Sequence, residues 1–268
     1  MHVCRLWRQI IFASPLRLRL NLHCTNNTPV RKHLGVWPPL PLTVGYDLIT
    51  GQAPNPEDNL LAALENPDRV VVFGLRFMDS HLAKLATVLQ KPFPVLTNLR
   101  LALEYGEEPL PAGFLGGPMP SLQYLDLHSI PFPDLPTLLL STRGLVTLHL
   151  QKIPPAGYIS PQAMAACLST LIMLTYLSIS FQEGTFDSVR PEQIDPASVP
   201  LIVLPSLTSI FFDGVCEYAE PLFAQIDCPR LSKIDMSYLD SSLGFQVTHN
   251  FPTSSIARKT LGHPRSVR

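Results

Sequence analysis

One apolar spacing recurs along this chain, and it limits the possible folds more than any other feature. In "PSLQYLDLHSI", Leu122, Leu125 and Leu127 follow the pattern L-x-x-L-x-L. The same spacing places Leu96, Leu99 and Leu101 in one copy, Leu145, Leu148 and Leu150 in another, and Leu174, Leu177 and Ile179 in a third. Leu207, Ile210 and Phe212 continue the series, then Leu231, Ile234 and Met236, and Val70, Phe73 and Leu75 form a degenerate copy upstream. From Phe73 through Leu99, Leu125, Leu148, Leu177 and Ile210 to Ile234, the middle residues step by 26, 26, 23, 29, 33 and 24 positions. Pro94, Pro120, Pro205 and Pro229 each stand two residues before the first apolar position of a copy.

A period of roughly 20–30 residues built on L-x-x-L-x-L is the signature of a leucine-rich repeat. Within each copy the fourth and sixth residues of the pattern point inward along a short strand, and the residue between them points outward. One strand cannot bury its own apolar face, whereas neighbours stacked about 4.8 Å apart share a continuous core. The spacing therefore predicts an α/β leucine-rich-repeat solenoid, a curved parallel sheet with helices on its convex side. "NPEDNLLAALENP" predicts one such helix, capped by Asn55, with Pro56 in its first turn and Leu60, Leu61 and Leu64 on one face. A second follows Ser80 as cap, with Leu82, Leu85, Ala86 and Leu89 at helical spacing, and a third starts at Ser160-Pro161. "YAEPLFAQI" is a shorter candidate. Upstream, Leu16, Leu18, Leu20 and Leu22 alternate with arginines and Asn21, and Leu40, Leu42 and Val44 fall on one side of a second segment, so about nine strands are expected in all. The longest step contains an insertion, residues 183–200, that reads as an irregular surface loop. Many such repeats carry Asn or Cys three residues after the last leucine. Here Met78, Glu104, Ile130, Ile153, Gln182, Val215 and Leu239 occupy that place, so an asparagine ladder is absent.

Composition narrows the function. The chain is 46% hydrophobic and 15% charged, with a net charge of −1. That balance gives no global field to attract nucleic acid or an acidic membrane. No apolar run reaches the ~20 residues that span a bilayer. The five cysteines (Cys4, Cys24, Cys167, Cys216, Cys228) lack C-x-x-C spacing, so free thiols in the cytoplasm or nucleus are expected, Cys216 and Cys228 as packing groups. Phosphate-binding glycine loops, H-E-x-x-H and G-x-S-x-G are all missing. The sequence reads as non-catalytic, with no catalytic, metal or cofactor residues to nominate. His128 and His149 lie on adjacent predicted strands, where a surface role outweighs metal binding.

The first fifteen residues, "MHVCRLWRQIIFASP", resemble the closing helix of an F-box, which ends in a V-C-[KR]-x-W-[KR] run followed by apolar residues and Ser-Pro. Val3, Cys4, Arg5, Trp7, Arg8, Ile11, Ser14 and Pro15 match it. With the repeats behind it, the chain is similar to fungal F-box/leucine-rich-repeat proteins, from its start to about Leu239. The resemblance implies a substrate-recognition subunit of a Skp–cullin–F-box ubiquitin ligase. Val3, Cys4, Trp7, Arg8 and Ile11 would be the adaptor-binding remnant. Only the last third of an F-box is here, so a Skp-type adaptor is implied as a partner only where the module is complete. A leucine-rich interaction protein with no ligase role is the alternative. The expected organisation is an F-box remnant over 1–15, repeats over 16–240 and a disordered tail over 241–268.

Function in such an architecture sits on the outward strand positions, which a curved parallel sheet presents as one concave surface for a target protein. Those nominated are Arg76, Asn98, Arg100, Tyr124, Asp126, His128, His149, Gln151, Tyr176, Phe211, Asp213, Lys233 and Asp235. Tyr124, Tyr176 and Phe211 are the candidate anchors, because aromatic side chains dominate interface energetics.

Overall fold

Each copy of the spacing puts apolar and polar residues at period two, which suits a short strand, and in the computed structural model these strands lie side by side. The structure describes residues 5–13, 20–23, 30–36, 39–47, 57–111, 113–188, 201–239 and 246–250. Nine parallel strands follow one another in chain order: β1 (Leu20–His23), β2 (Leu42–Asp47), β3 (Val70–Phe77), β4 (Asn98–Leu103), β5 (Tyr124–His128), β6 (Thr147–Ile153), β7 (Tyr176–Phe181), β9 (Ser209–Gly214) and β11 (Lys233–Leu239). A two-residue pair, β8 (Ile202–Val203) with β10 (Ile226–Asp227), lies apart from this sheet.

Register aligns the apolar positions. Leu22, Val44, Phe73, Leu99, Leu125, Leu148, Leu177, Ile210 and Ile234 pair in sequence across the nine strands, and all are buried. At about 1.5–3 kcal/mol for each buried aliphatic or aromatic side chain, this row is a major source of cohesion. A second row runs from Leu75 through Leu101, Leu127, Leu150, Ile179 and Phe212 to Met236.

Helices supply the other side of the core. They are α1 (Arg5–Phe12), α2 (Val30–Val36), α3 (Glu57–Leu64), α4 (Asp79–Leu89), α5 (Leu135–Ser141), α6 (Pro161–Leu168), α7 (Thr185–Ser188) and α8 (Cys216–Phe223). Leu60, Ala63 and Leu64 of α3, Leu85 and Leu89 of α4, Leu138 and Leu139 of α5, and Met164 and Leu168 of α6 join the strand leucines in one buried cluster. Neighbouring helices touch in order, α2 to α3 to α4 and α5 to α6 to α8. Near α8 the core becomes aromatic. Tyr218 is fully buried, its hydroxyl donates to the Ile159 carbonyl at 3.0 Å, and its ring meets Phe181 edge-on at 4.6 Å. Burial pushes its phenol well above the usual range.

The recurrent prolines have a local cause. Before β4, β5, β6, β7, β9 and β11 the first apolar N–H donates to the carbonyl three residues back: Leu96 to Phe93, Leu122 to Met119, Leu145 to Thr142, Leu174 to Leu171, Leu207 to Leu204 and Leu231 to Cys228. Pro94, Pro120, Pro205 and Pro229 fill the second position of such turns, where the ring's fixed φ fits and no N–H is needed. Arg143 and Ile172 hold that position in the other two turns.

A hydroxyl stands one residue beyond four of these six first apolar positions. Thr97 Oγ1 donates to the Val71 carbonyl at 3.0 Å, Thr175 to Val146 at 3.1 Å, Thr208 to Thr175 at 2.9 Å, and Ser232 Oγ to Thr208 at 3.0 Å. Each reinforces a backbone hydrogen bond to the same carbonyl. These hydroxyls stitch neighbouring copies together at the beginnings of their strands.

Several expectations are corrected. Helix α4 begins at Asp79, so Ser80 lies inside it; His81 Nδ1 reaches back to the Met78 N–H at 3.2 Å and serves the helix start. Ser160 does cap α6, accepting from the Ala163 N–H at 3.3 Å. The insertion is not surface loop at its beginning. Thr185 is buried there and its hydroxyl donates to the Ile153 carbonyl at 3.0 Å, while residues 189–200 lie outside the described residues. Cys216, read as a packing thiol, is exposed, whereas Cys228 is half-buried and its thiol is pushed up to about 12, by burial first and by Asp227 second. The tail over 241–268 is not wholly without structure. Gln246–Asn250 forms β12, antiparallel to β11, because the outer edge of β11 offers unpaired backbone groups to any extended segment whether or not it carries the repeat. The tail's other residues, like Leu16, Leu18, Asn55 and Pro56, lie outside the described residues.

Candidate functional site

Because strand side chains alternate, aligning the leucines inward aligns every intervening residue on the opposite face. There the register produces three rows. Asn98, Tyr124, Thr147, Tyr176, Ser209 and Lys233 pair across the sheet in the first. Gly45, Gly74, Arg100, Asp126, His149, Ser178, Phe211 and Asp235 form the second. The third holds Arg76 and Ala102, then His128 opposite Gln151, and Asp213 between Ser180 and Ser237. All thirteen residues nominated for this face lie on it, with Arg76, Arg100 and Lys233 exposed.

At the centre, rings and charges interlock. His149 sits between two tyrosines, its ring centroid 5.6 Å from that of Tyr124 and 4.7 Å from that of Tyr176. Arg100 Nε pairs with Asp126 Oδ2 at 2.9 Å, and the Tyr124 hydroxyl donates to the same oxygen at 3.3 Å. Asp126 is therefore not an exposed contact residue as expected. Its side chain is 4% exposed while that of Arg100 is 71% exposed, so the carboxylate is the buried anchor of an outward guanidinium. Such pairs cost dearly to break one-sidedly.

Electrostatics follow from this packing. Burial pushes the His149 imidazole below its ordinary value; Asp126 opposes that shift and Arg100 adds to it. Its Nδ1 is buried without a hydrogen-bond partner among the described residues. Burial, and then the Asp126 charge, raise the Tyr124 phenol. Burial also raises the Asp213 carboxyl, whose Oδ1 has no hydrogen-bond partner among the described residues.

His128 and His149 do not converge. His128 faces Gln151, with Nδ1 3.2 Å from Oε1, while His149 stands one row away opposite Asp126. Among the described residues no three His, Cys, Asp or Glu side chains group to hold a metal ion. Of the adaptor-binding remnant, Val3 and Cys4 lie outside the described residues. Trp7, Arg8 and Ile11 belong to α1, but their side chains lie outside them too.

Two features of this face escaped the sequence reading. Ser178 and Ser180 are buried, and Ser180 Oγ accepts from the Lys152 N–H at 2.9 Å at an irregularity in β6. Beside Gly74 the face also sinks into a depression of about 310 Å3, lined by Gly74, Leu75, Arg76, Arg100 and Ala102. Small outward residues in one row were a usable signal for the second. The first needed the strand's backbone geometry. No family model, no curated protein and no solved structure matches this chain.

Proposed function

We propose that this chain is a non-catalytic leucine-rich-repeat solenoid that binds a partner protein on the outward face of its sheet. In the fuller form of the reading, it is the substrate-recognition part of a Skp–cullin–F-box ubiquitin ligase. The repeat reading is supported by seven copies of one spacing that pair in register, with their helices on the opposite side. The single observation that carries partner binding is the half-buried Tyr124–His149–Tyr176 series, fixed by the Arg100–Asp126 pair at the middle of an accessible sheet face. Pre-ordered aromatic rings present large contact area at little entropic cost, which is the character of interface hot spots. The ligase element rests on the F-box resemblance over residues 3–15 alone.

The two parts are tested separately. For the face, the full chain captures its partner by affinity purification, and Tyr124→Ala and Tyr176→Ala are compared with Leu140→Ala on α5, which is exposed on the helix side. The tyrosine variants are expected to lose the partner at least tenfold, on the scale of interface hot spots, while Leu140→Ala retains it. Equal capture by all four proteins rejects the face. For the ligase role, the chain is placed behind a two-helix F-box start and co-expressed with a Skp-type adaptor. Co-purification supports it; its failure leaves a leucine-rich interaction protein with no ubiquitin connection.

A further inference from the structure

Two carboxylates sink into the outward face, and only one of them is answered. Asp126 receives Arg100 at 2.9 Å and the Tyr124 hydroxyl at 3.3 Å. Asp213, on β9 rather than β5, receives neither a cation nor a hydroxyl among the described residues. Its Oδ1 is buried, and burial alone lifts its carboxyl, with no neighbouring charge to pull it back. In register it stands between Ser180 and Ser237, so only short side chains flank it across the sheet. The residue as a whole is half-buried and borders solvent. A sunken carboxylate left unpaired costs the folded chain stability, and such groups gather where a ligand supplies the missing partner.

Its surroundings suit a cation. Phe211 precedes Asp213 by two residues on β9, so both point outward, about 7 Å apart along the strand. Phe211 is half-buried and meets no other ring among the described residues, whereas Tyr124 and Tyr176 share His149. Asp235 of β11 pairs with Phe211 in register, which puts the two aspartates on one diagonal of a square, roughly 8 Å apart at their Cα atoms. Lys233, two residues before Asp235, is exposed and pairs with neither aspartate among the described residues. A guanidinium can bond a carboxylate through its donor edge while its flat face lies on an aromatic ring.

We infer that Asp213 and Phe211 form a subsite for an arginine side chain of the partner protein. Its guanidinium donates to the Asp213 carboxylate, lies against the Phe211 ring and turns its outer edge towards Asp235. Arginine suits the place better than lysine, because an ammonium group is more strongly hydrated and has no flat face to stack. The inference rests on the partner-binding reading and gives that partner its chemistry. The chain's net charge of −1 supplies no general attraction for polycations, so a preference for arginine has to come from the local site.

The probe is a fluorescein-labelled peptide of alternating Arg and Ser, measured by anisotropy against the full chain at physiological salt. The control peptide carries citrulline, neutral and of the same shape, in place of each Arg. The arginine peptide is expected to bind at least about tenfold more tightly, as a charge-assisted pair to a sunken carboxylate implies. Asp213→Asn and Phe211→Leu are each expected to weaken it about fivefold or more. Asp134→Asn, at the exposed start of α5 on the helix side, leaves it unchanged. Asp213→Asn is the decisive variant, because it keeps the side chain's shape and separates a binding group from a structural one. With the carboxylate unpaired in the free chain, this variant is expected to melt no lower than the wild type at pH 7 although it binds less. Equal binding of the two peptides, wild-type binding by Asp213→Asn or Phe211→Leu, or an equal loss in Asp134→Asn overturns the inference. So does a clear fall in the melting temperature of Asp213→Asn, which would make the carboxylate a structural group. A partner that depends on Tyr124 and Tyr176 while the arginine peptide fails refutes the arginine subsite alone. Loss of the tyrosine dependence with the peptide still bound refutes the broader reading alone.

Discussion

The two faces of this sheet are made from alternate residues of the same strands, and they tolerate different chemistry. On the helix side, Leu125 and its partners Leu99 and Leu148 are fully buried, and the row is aliphatic or aromatic throughout. On the outward side, neighbours in register differ from strand to strand: Gly74, Arg100, Asp126, His149, Ser178, Phe211. Inner positions must fill a shared volume with no polar remainder, because unfilled space and unpaired polar groups are both penalised. Outer positions need only be strand-compatible and satisfy whatever charge they bury. The first demand produces repetition. The second leaves room for a site.

That contrast is open to direct attack, beginning with the largest effect. Leu125→Ala removes a fully buried member of the inner row and is expected to cost about 2–5 kcal/mol in urea unfolding. Thr147→Ala, half-buried on the outward side of the next strand, is expected to cost under about 1 kcal/mol. Similar losses at both sites would show that the faces are energetically alike. A smaller effect isolates the turn that both faces share. Ile172 fills the place where four other copies carry proline, it is exposed, and its N–H makes no backbone bond among the described residues. Ile172→Pro should therefore raise stability by about 0.4–1 kcal/mol through the unfolded chain, with ligand binding unchanged. A loss would mean that this copy's turn differs in conformation from those at Pro94 and Pro120.

The smallest effect belongs to the outward face alone and depends on pH. His149 titrates below its ordinary 6.5 when folded, chiefly through burial, between the rings of Tyr124 and Tyr176 and beside Asp126 and Arg100. Between the folded and unfolded pKa values the unfolded chain binds more protons, so stability is full above about pH 6.5 and falls as pH drops through that window. His149→Phe keeps the ring packing and removes this slope. Melting temperatures from pH 7.5 to 5.5 should therefore decline less steeply in the variant than in the wild type, and identical slopes would place the titration elsewhere.

Much of this arrangement was readable from the residues. The spacing of Leu96, Leu122 and Leu145 located the strands, their order and the face each residue takes, because a period of two and a repeat near 26 leave few alternatives. Helix α6 was legible through Ser160-Pro161. Helix α5 was not, since "PDLPTLLLS" packs Leu135, Leu138 and Leu139 against the core without a cap that accepts from its backbone. The partial order of the tail was missed for a different reason. Strand β12 forms by backbone hydrogen bonds to an available edge, and such pairing carries no side-chain signature.

The candidate site divides in the same way. Sequence by itself determined which side chains share the outward face, because strand alternation is a local property of the backbone. Only the tertiary structure decided which of them meet. Asp126 is sunk beneath Arg100, His149 is wedged between tyrosines from two other strands, and Gly74 opens a floor between two arginines. Those relations depend on the register between strands that are distant along the chain, and on the depth at which each side chain comes to rest. Both are set by the packing of the leucines on the other side of the sheet.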